Sequence, residues 1–177
     1  MTRNVILQAM QERRSCRNFK PDAVPKELLD QILEAGLYAA SGRGKQATVL
    51  IAITEKALRD RIAEANRKIG GWAEGFDPFY GAPAMILVLA DKSRPTFLYD
   101  GSLVMGNLML AAHTLGLGSC WIHRAKEELE SGDFDDLLRS LGLGEGYEGI
   151  GHCALGYAAD PLPPPPPRNP GRVFYKF

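Results

Sequence analysis

Arg13-Arg14-Ser15-Cys16-Arg17 places three guanidiniums and a hydroxyl within five residues. Groups of this kind can grip a phosphate through charge-assisted, often bidentate, hydrogen bonds. Cations at the C-terminal end of a helix also have a plainer use, since each complements the helix dipole by about 0.3–1 kcal/mol. Spacing alone leaves both readings open. A second feature is Gly116-Leu117-Gly118-Ser119-Cys120-Trp121-Ile122, where glycines let the chain turn sharply and let a flat ligand approach the backbone. It is equally ordinary punctuation between a helix and a strand. A third is the glycine-rich loop 71–83, whose Trp72, Phe76, Phe79 and Tyr80 could wall a pocket or simply pack beneath the loop.

Other chemistries find less support. His113, His123 and His152 with Cys120 and Cys153 match no zinc-ligand spacing, so no metal is expected. A Cys/His nucleophilic pair has no better footing. Gly142-Leu143-Gly144-Glu145-Gly146 follows no strand and lacks the third glycine of a dinucleotide fingerprint.

The elements that must position these residues can be read from composition and periodicity. The 177 residues suit one domain, and 45% apolar with 24% charged residues excludes wholesale disorder. No apolar run reaches the roughly 20 residues of a membrane span, and the first residues lack the long apolar stretch of a signal peptide. With only three scattered cysteines, a reducing cytoplasm is the expected compartment. A net charge of zero argues against bulk binding of nucleic acid or anionic membrane. The charge is nevertheless uneven: residues 11–20 and 161–177 each carry a net +3, and residues 127–148 a net −7.

Val5, Ile6, Ala9 and Met10 predict a helix over about 3–13 with Thr2 as its N-cap. A second helix opens at Pro25 and buries Leu28, Leu29, Ile32, Leu33 and Leu37 before Ser41-Gly42. A strand follows at 48–53, then a helix capped by Thr54 with Leu58, Ile62, Ala65 and Ile69 inward, stopped by Gly70-Gly71. Further strands are expected at 84–90, 119–123 and within 150–157, and an acidic helix at about 133–141. Residues 97–116 are apolar on nearly every side, as befits a central helix or an oligomer interface. Pro163 to Pro167 must be extended polyproline II, a semi-rigid arm. The expected organisation is one α+β domain over 1–160 and a C-terminal arm over 161–177.

Taken in order, these pieces resemble the FMN-dependent nitroreductase family. The resemblance rests on RRSCRNF (13–19), SGRGKQ (41–46), FYGAP (79–83), DGSLVMGNLMLAAHTLGLGSCWI (100–122), ALGYA (154–158) and Arg168-Asn169-Pro170. It implies a mostly antiparallel sheet of about four to five strands flanked by helices. It also implies a homodimer with FMN at the subunit interface and an arm that embraces the partner. Arg13, Arg14 and Ser15 then match positions holding the FMN phosphate and ribityl chain, and Arg168 a further phosphate ligand. Arg17 matches a cation at the pyrimidine end of the flavin, where negative charge develops on reduction. Ser41, Gly42 and Gly44 match residues that touch the flavin from the partner chain. Trp121 and Ile122 match the strand along the ring, with a backbone N–H of His123 or Arg124 directed at N5 or O4.

The implied activity is transfer of a hydride from NAD(P)H through flavin N5 to a small electron-poor acceptor, such as a nitroaromatic or quinone. Four departures stand out. Gly44 replaces a frequent asparagine, Ala47-Thr48 a Pro-Trp pair, His123-Arg124 a glycine-rich continuation, and Pro166 a frequent second basic residue before the tail arginine. They keep two alternatives in view: a specialised flavoenzyme of this fold (dehydrogenation, reductive dehalogenation or flavin fragmentation), and a flavin-binding protein without turnover.

Overall fold

A computed structural model describes residues 4–177. In chain order it contains α1 (Val5–Glu12), α2 (Lys26–Leu37), a 3-10 turn (Gly42–Gly44), β1 (Thr48–Ile53), α3 (Lys56–Gly70), β2 (Ala84–Asp91), α4 (Phe97–Thr114), β3 (Gly118–Ile122), α5 (Ala125–Glu130), α6 (Asp135–Ser140) and β4 (Tyr147–Gly156). The four strands form one fully antiparallel sheet in the order β1-β2-β4-β3.

β2 explains the layering. Met85, Leu87 and Leu89 enter one core, while Ala84, Ile86, Val88 and Ala90 enter the other. A strand with both faces apolar must be covered on both sides. Ile62 and Ala63 of α3, Ala125 of α5 and Leu138 of α6 close the first face; Leu29 and Ile32 of α2 and Val104, Met105 and Leu108 of α4 close the second. The α+β class and a four-stranded sheet agree with the sequence reading.

Between Val88 and Leu89 the pairing with β4 slips, leaving Ile150 as the extra residue of a bulge. Beside it, a Cβ on Gly151 would lie 2.1 Å from Trp121 Nε1, so only glycine lets the indole lie flat on β4.

Several boundaries differ from expectation. Thr2 lies outside the described residues, and α1 is capped by Asn4, whose Oδ1 accepts from Ile6 N (2.9 Å) and Leu7 N (3.3 Å). α3 is preceded by Glu55, which makes no side-chain cap bond; Thr54 does not cap it. Leu37 and Ile69 are exposed, because burial follows Gly36 in α2 and Asn66 in α3. Gly71, in the left-handed conformation (φ 67°), does end α3 as expected. The short helix α5 was not anticipated.

α6 is tied to α3 through Arg61, which bonds Asp136 at 3.0 Å, donates to the Asp133 carbonyl and lies 4.9 Å from the Phe134 ring centroid. The Arg61 hydrogen bond holds the Asp136 carboxyl down to about 2. A depressed folded-state value means the tie is fully present above the ordinary carboxylate range, near 4, and is lost as pH falls through about 2. The Asp136 carboxyl-carbon NMR shift should therefore titrate with a midpoint at about pH 2. In Arg61→Ala that midpoint should return toward the ordinary carboxylate range.

Candidate functional site

The basic segment is held by its two buried members. Cys16 and Phe19 sit in the core, which leaves Arg13, Arg14 and Ser15 half-buried and Arg17 exposed. Cys16 N–H donates to Ser119 O at 2.8 Å, so the segment lies parallel against the free edge of β3. Lys20 N–H to Tyr157 O (2.8 Å) and Ala159 N–H to Asn18 O (3.0 Å) fasten its far end beyond β4.

Two guanidinium atoms here are buried without a hydrogen-bond partner, Arg13 Nη1 and Arg14 Nε. Arg14 turns its other nitrogens onto the carbonyls of Gln11 (2.5 Å) and Arg13. A buried donor left unmade costs about 1–3 kcal/mol. Each lacks the acceptor that an anion supplies, so the residues present fit a phosphate group. Cys120 lies near the same segment: burial pushes its thiol up, against the charges of Arg17 and Arg13 and a hydrogen bond from Ser15. Burial also pushes the Cys16 and Cys153 thiols up, Cys153 well above its ordinary range. All three cysteines are free and buried, consistent with packing roles.

The Ser41–Gly44 turn is built by a residue the sequence reading missed. Asp100, buried in the first turn of α4, accepts from Gly42 N–H at 3.0 Å and from the Thr96 hydroxyl at 3.1 Å. A Cβ on Gly42 would come within 2.2 Å of Thr96 Oγ1, so this position takes only glycine without a shift. Ser41 Oγ accepts from Gln46 N–H at 3.0 Å, while Gly44 is exposed with φ 62°.

The end of β3 turns sharply. Trp121 is half-buried and Ile122 buried; His123 is exposed; Arg124 adopts a left-handed φ of 81°, uncommon for a side chain of its size. Its guanidinium lies 4.4 Å from the Trp72 ring centroid. Trp72 meets Phe76 at 5.1 Å, and Phe76 meets Tyr80 edge-on at 6.1 Å. This continuous run of half-buried and exposed rings adjoins the strand end. Phe79 is not part of it. It is completely buried, 5.2 Å from the His152 ring and 5.7 Å from the Arg59 guanidinium, and belongs to the core.

The chain does not gather every expected residue at one place. Ser41–Gly44 hangs from the N-terminal turn of α4 through Asp100. The arginine segment lies against Ser119, whose hydroxyl reaches Met109 O (3.5 Å) toward the other end of α4. Nine helical residues separate these anchors, about 13 Å. Arg168 is exposed on the arm and donates to Pro166 O at 2.7 Å and 3.2 Å. Three further buried polar residues, Asn66, Glu128 and His152, lie behind the His123–Arg124 turn; only His152 drew notice in the sequence, and as a metal ligand. Among the described residues no group of three or more His, Cys, Asp or Glu could hold a metal ion. Nor is any described helix long and apolar enough to cross a membrane.

Residues 10–157 match the model of the nitroreductase family. A Methanothermobacter thermautotrophicus protein, provisionally named NADH dehydrogenase/NAD(P)H nitroreductase, is 32% identical over 120 residues, 66% of this chain and 59% of that protein. The chain thus spans about three-fifths of that relative's length. An NADPH-flavin oxidoreductase of Vibrio harveyi is 28% identical over 96% of this chain and 72% of its own length. Among solved structures, a nitroreductase with bound FMN from Bacteroides fragilis superposes with a TM-score of 0.87 at 28% identity, covering 98% of this chain and 100% of the other.

Proposed function

The chain belongs to the nitroreductase family, and on that premise we propose that it is an FMN-dependent oxidoreductase that draws reducing equivalents from NAD(P)H. The observation that carries this reading is the pair of orphaned, buried guanidinium atoms on Arg13 and Arg14 beside the β3 edge. When bound, FMN supplies the redox chemistry, accepting a hydride from NAD(P)H and passing electrons to an electron-poor acceptor such as a nitroaromatic or quinone.

In this reading Arg13, Arg14 and Ser15 hold the phosphate and ribityl end, joined by Arg168 from the arm. Arg17 offers positive charge at the pyrimidine end. Trp121 and Ile122 lie along the ring, and a backbone N–H of His123 or Arg124 is directed at its N5–O4 edge. Trp72, Phe76 and Tyr80, with Arg124 stacked on the first, form the wall against which a small aromatic acceptor packs. Phe79 is dropped from that wall.

The complete site needs two chains. α1 buries no residue: Val5, Ile6, Leu7 and Met10 are 56–78% exposed, and Leu98, Tyr99 and Leu103 of α4 face outward. Exposed apolar surface of this kind marks an interface. Pairing α4 antiparallel with its copy across a two-fold axis brings the partner subunit's Ser41, Gly42 and Gly44 towards Arg13–Ser15. The arm, whose Phe174 and Phe177 are fully exposed in a single chain, then packs on the partner. A reducing cytoplasm is the compartment that suits the three free thiols.

Mixed dimers test this arrangement. Arg13→Ala/Arg14→Ala chains and Gly42→Val chains should each form dimers that take up little FMN. Mixed one to one, they should regain one flavin per heterodimer, because one of its two sites is then built from intact halves. Mixed dimers as empty as their parents would contradict a site shared between chains. General turnover of nitroaromatic and quinone acceptors with NADH or NADPH separates the reductase from the specialised and non-catalytic alternatives.

A further inference from the structure

We propose that Asn66, Glu128 and His152 form a positioning clamp that fixes the His123–Arg124 peptide, and so aims the Arg124 backbone N–H outward at the flavin edge. The flavin half of this inference rests on the functional reading above; the clamp itself does not.

The three side chains are at most 2% exposed and come from three elements. His152 Nε2 on β4 lies 2.6 Å from Glu128 Oε2 on α5. The second carboxylate oxygen, Oε1, accepts from Asn66 Nδ2 on α3 at 2.5 Å. The same Nδ2 donates its other proton to the His123 carbonyl at 2.7 Å. Both protons of the amide nitrogen are therefore used, and Asn66 Oδ1 is left without a partner, as is His152 Nδ1. Flipping the amide would set its oxygen against two acceptors. Glu128 thus dictates the amide orientation, and that orientation obliges the second N–H to reach His123.

The peptide supplies the next step. No described peptide bond is cis, and in a trans peptide the C=O and N–H point in opposite directions. With the His123 carbonyl drawn inward to Asn66, the N–H of Arg124 points away from the core. Arg124 itself has φ 81°, a strained conformation for such a residue that persists only where its surroundings over-determine it. The surroundings do so three times: Asn66 on the preceding carbonyl, Glu128 N–H on Arg124 O (3.0 Å), and Trp72 beneath the guanidinium. Global stability does not account for the triad, since buried ionic clusters can usually be replaced by apolar residues of similar volume without loss. What an apolar replacement cannot supply is a donor for His123.

Two variants test the clamp: Asn66→Leu, and the all-apolar Asn66→Leu/Glu128→Leu/His152→Leu, which leaves no buried charge unpaired. In flavin-free protein, exchange of the residue-128 amide, which donates to Arg124 O, should speed up by about tenfold or more in both variants, while the amides of β2 in the triple variant stay as protected as in the parent. In flavin-loaded protein, the rate of flavin reduction at saturating NADH should fall by about tenfold, with NADH affinity little changed. Unchanged exchange at residue 128 would overturn the clamp, whatever the flavin does. Faster exchange with undiminished reduction would overturn its role toward the flavin. A parent protein that takes up no FMN would instead overturn the functional reading, and with it the flavin half of this inference.

Discussion

Arg13→Ala will weaken FMN binding by roughly 10- to 100-fold, the equivalent of one lost charge-assisted hydrogen bond worth about 1.5–3 kcal/mol. Arg13 is half-buried, and its Nη1 is sequestered from solvent without a partner inside the chain. A guanidinium so placed is already desolvated, so an arriving phosphate gains the interaction without displacing an internal bond. Arg13→Lys keeps the charge and loses the planar fork, and should fall between parent and alanine variant. Arg139→Ala, on α6, is the control and should leave affinity unchanged. Quenching of FMN fluorescence on titration into flavin-free protein gives each dissociation constant. Equal affinities for parent and Arg13→Ala would remove Arg13 from the site.

Phe79→Ala will cost about 3–5 kcal/mol of stability, lowering the melting temperature by on the order of 10 °C for a chain of this size. The ring is fully enclosed, edge-on to His152 and beneath Arg59, and the surrounding sheet and α3 cannot collapse into the space it leaves. Phe76→Ala should do the converse. Phe76 is 39% exposed between Trp72 and Tyr80, so its loss should leave the melting temperature nearly unchanged and raise KM for aromatic acceptors. Thermal melts and steady-state kinetics on both variants separate the core ring from the wall. A Phe79→Ala protein of parental stability would contradict the core assignment.

The pair Phe76 and Phe79 also shows where sequence reading stops. Both are phenylalanines in one glycine-rich loop, and composition treats them alike. Only the positive φ of Tyr80 and the turn held by Asp77, which accepts from Phe79 N (2.9 Å) and Gly81 N (2.8 Å), send one ring inward and leave the other out. The strands were legible because the runs at 48–53, rich in β-branched residues, and 84–90, continuously apolar, are too short for a helix of ordinary length. α4 was legible as a helix with no polar face, and its outward Leu98, Tyr99 and Leu103 are the same fact seen in three dimensions.

Other features carried no sequence signal. α5 is six residues long, too short for a helical period to show. Asp100 and Glu128 look like surface acids in sequence, since a buried carboxylate is recognised only by the donors that surround it. Asn66 took the inward place expected of Ile69 because the turn after β3 needs a donor there. The basic islands at the two ends of the chain were plain from charge counting, but their places in the fold were not: Arg13 lies at the β3 edge and Arg168 on an exposed arm.

The proposed activity requires the chain to hold FMN and to reduce it with a nicotinamide nucleotide. The decisive measurement is anaerobic titration of the purified, FMN-loaded protein with NADH and with NADPH, followed by visible absorbance. At least one nucleotide should bleach the flavin band with a stoichiometry of about one per flavin, and a quinone or nitroaromatic should restore the band. A protein that takes up no FMN, or whose flavin yields to dithionite but to neither nucleotide, would contradict it.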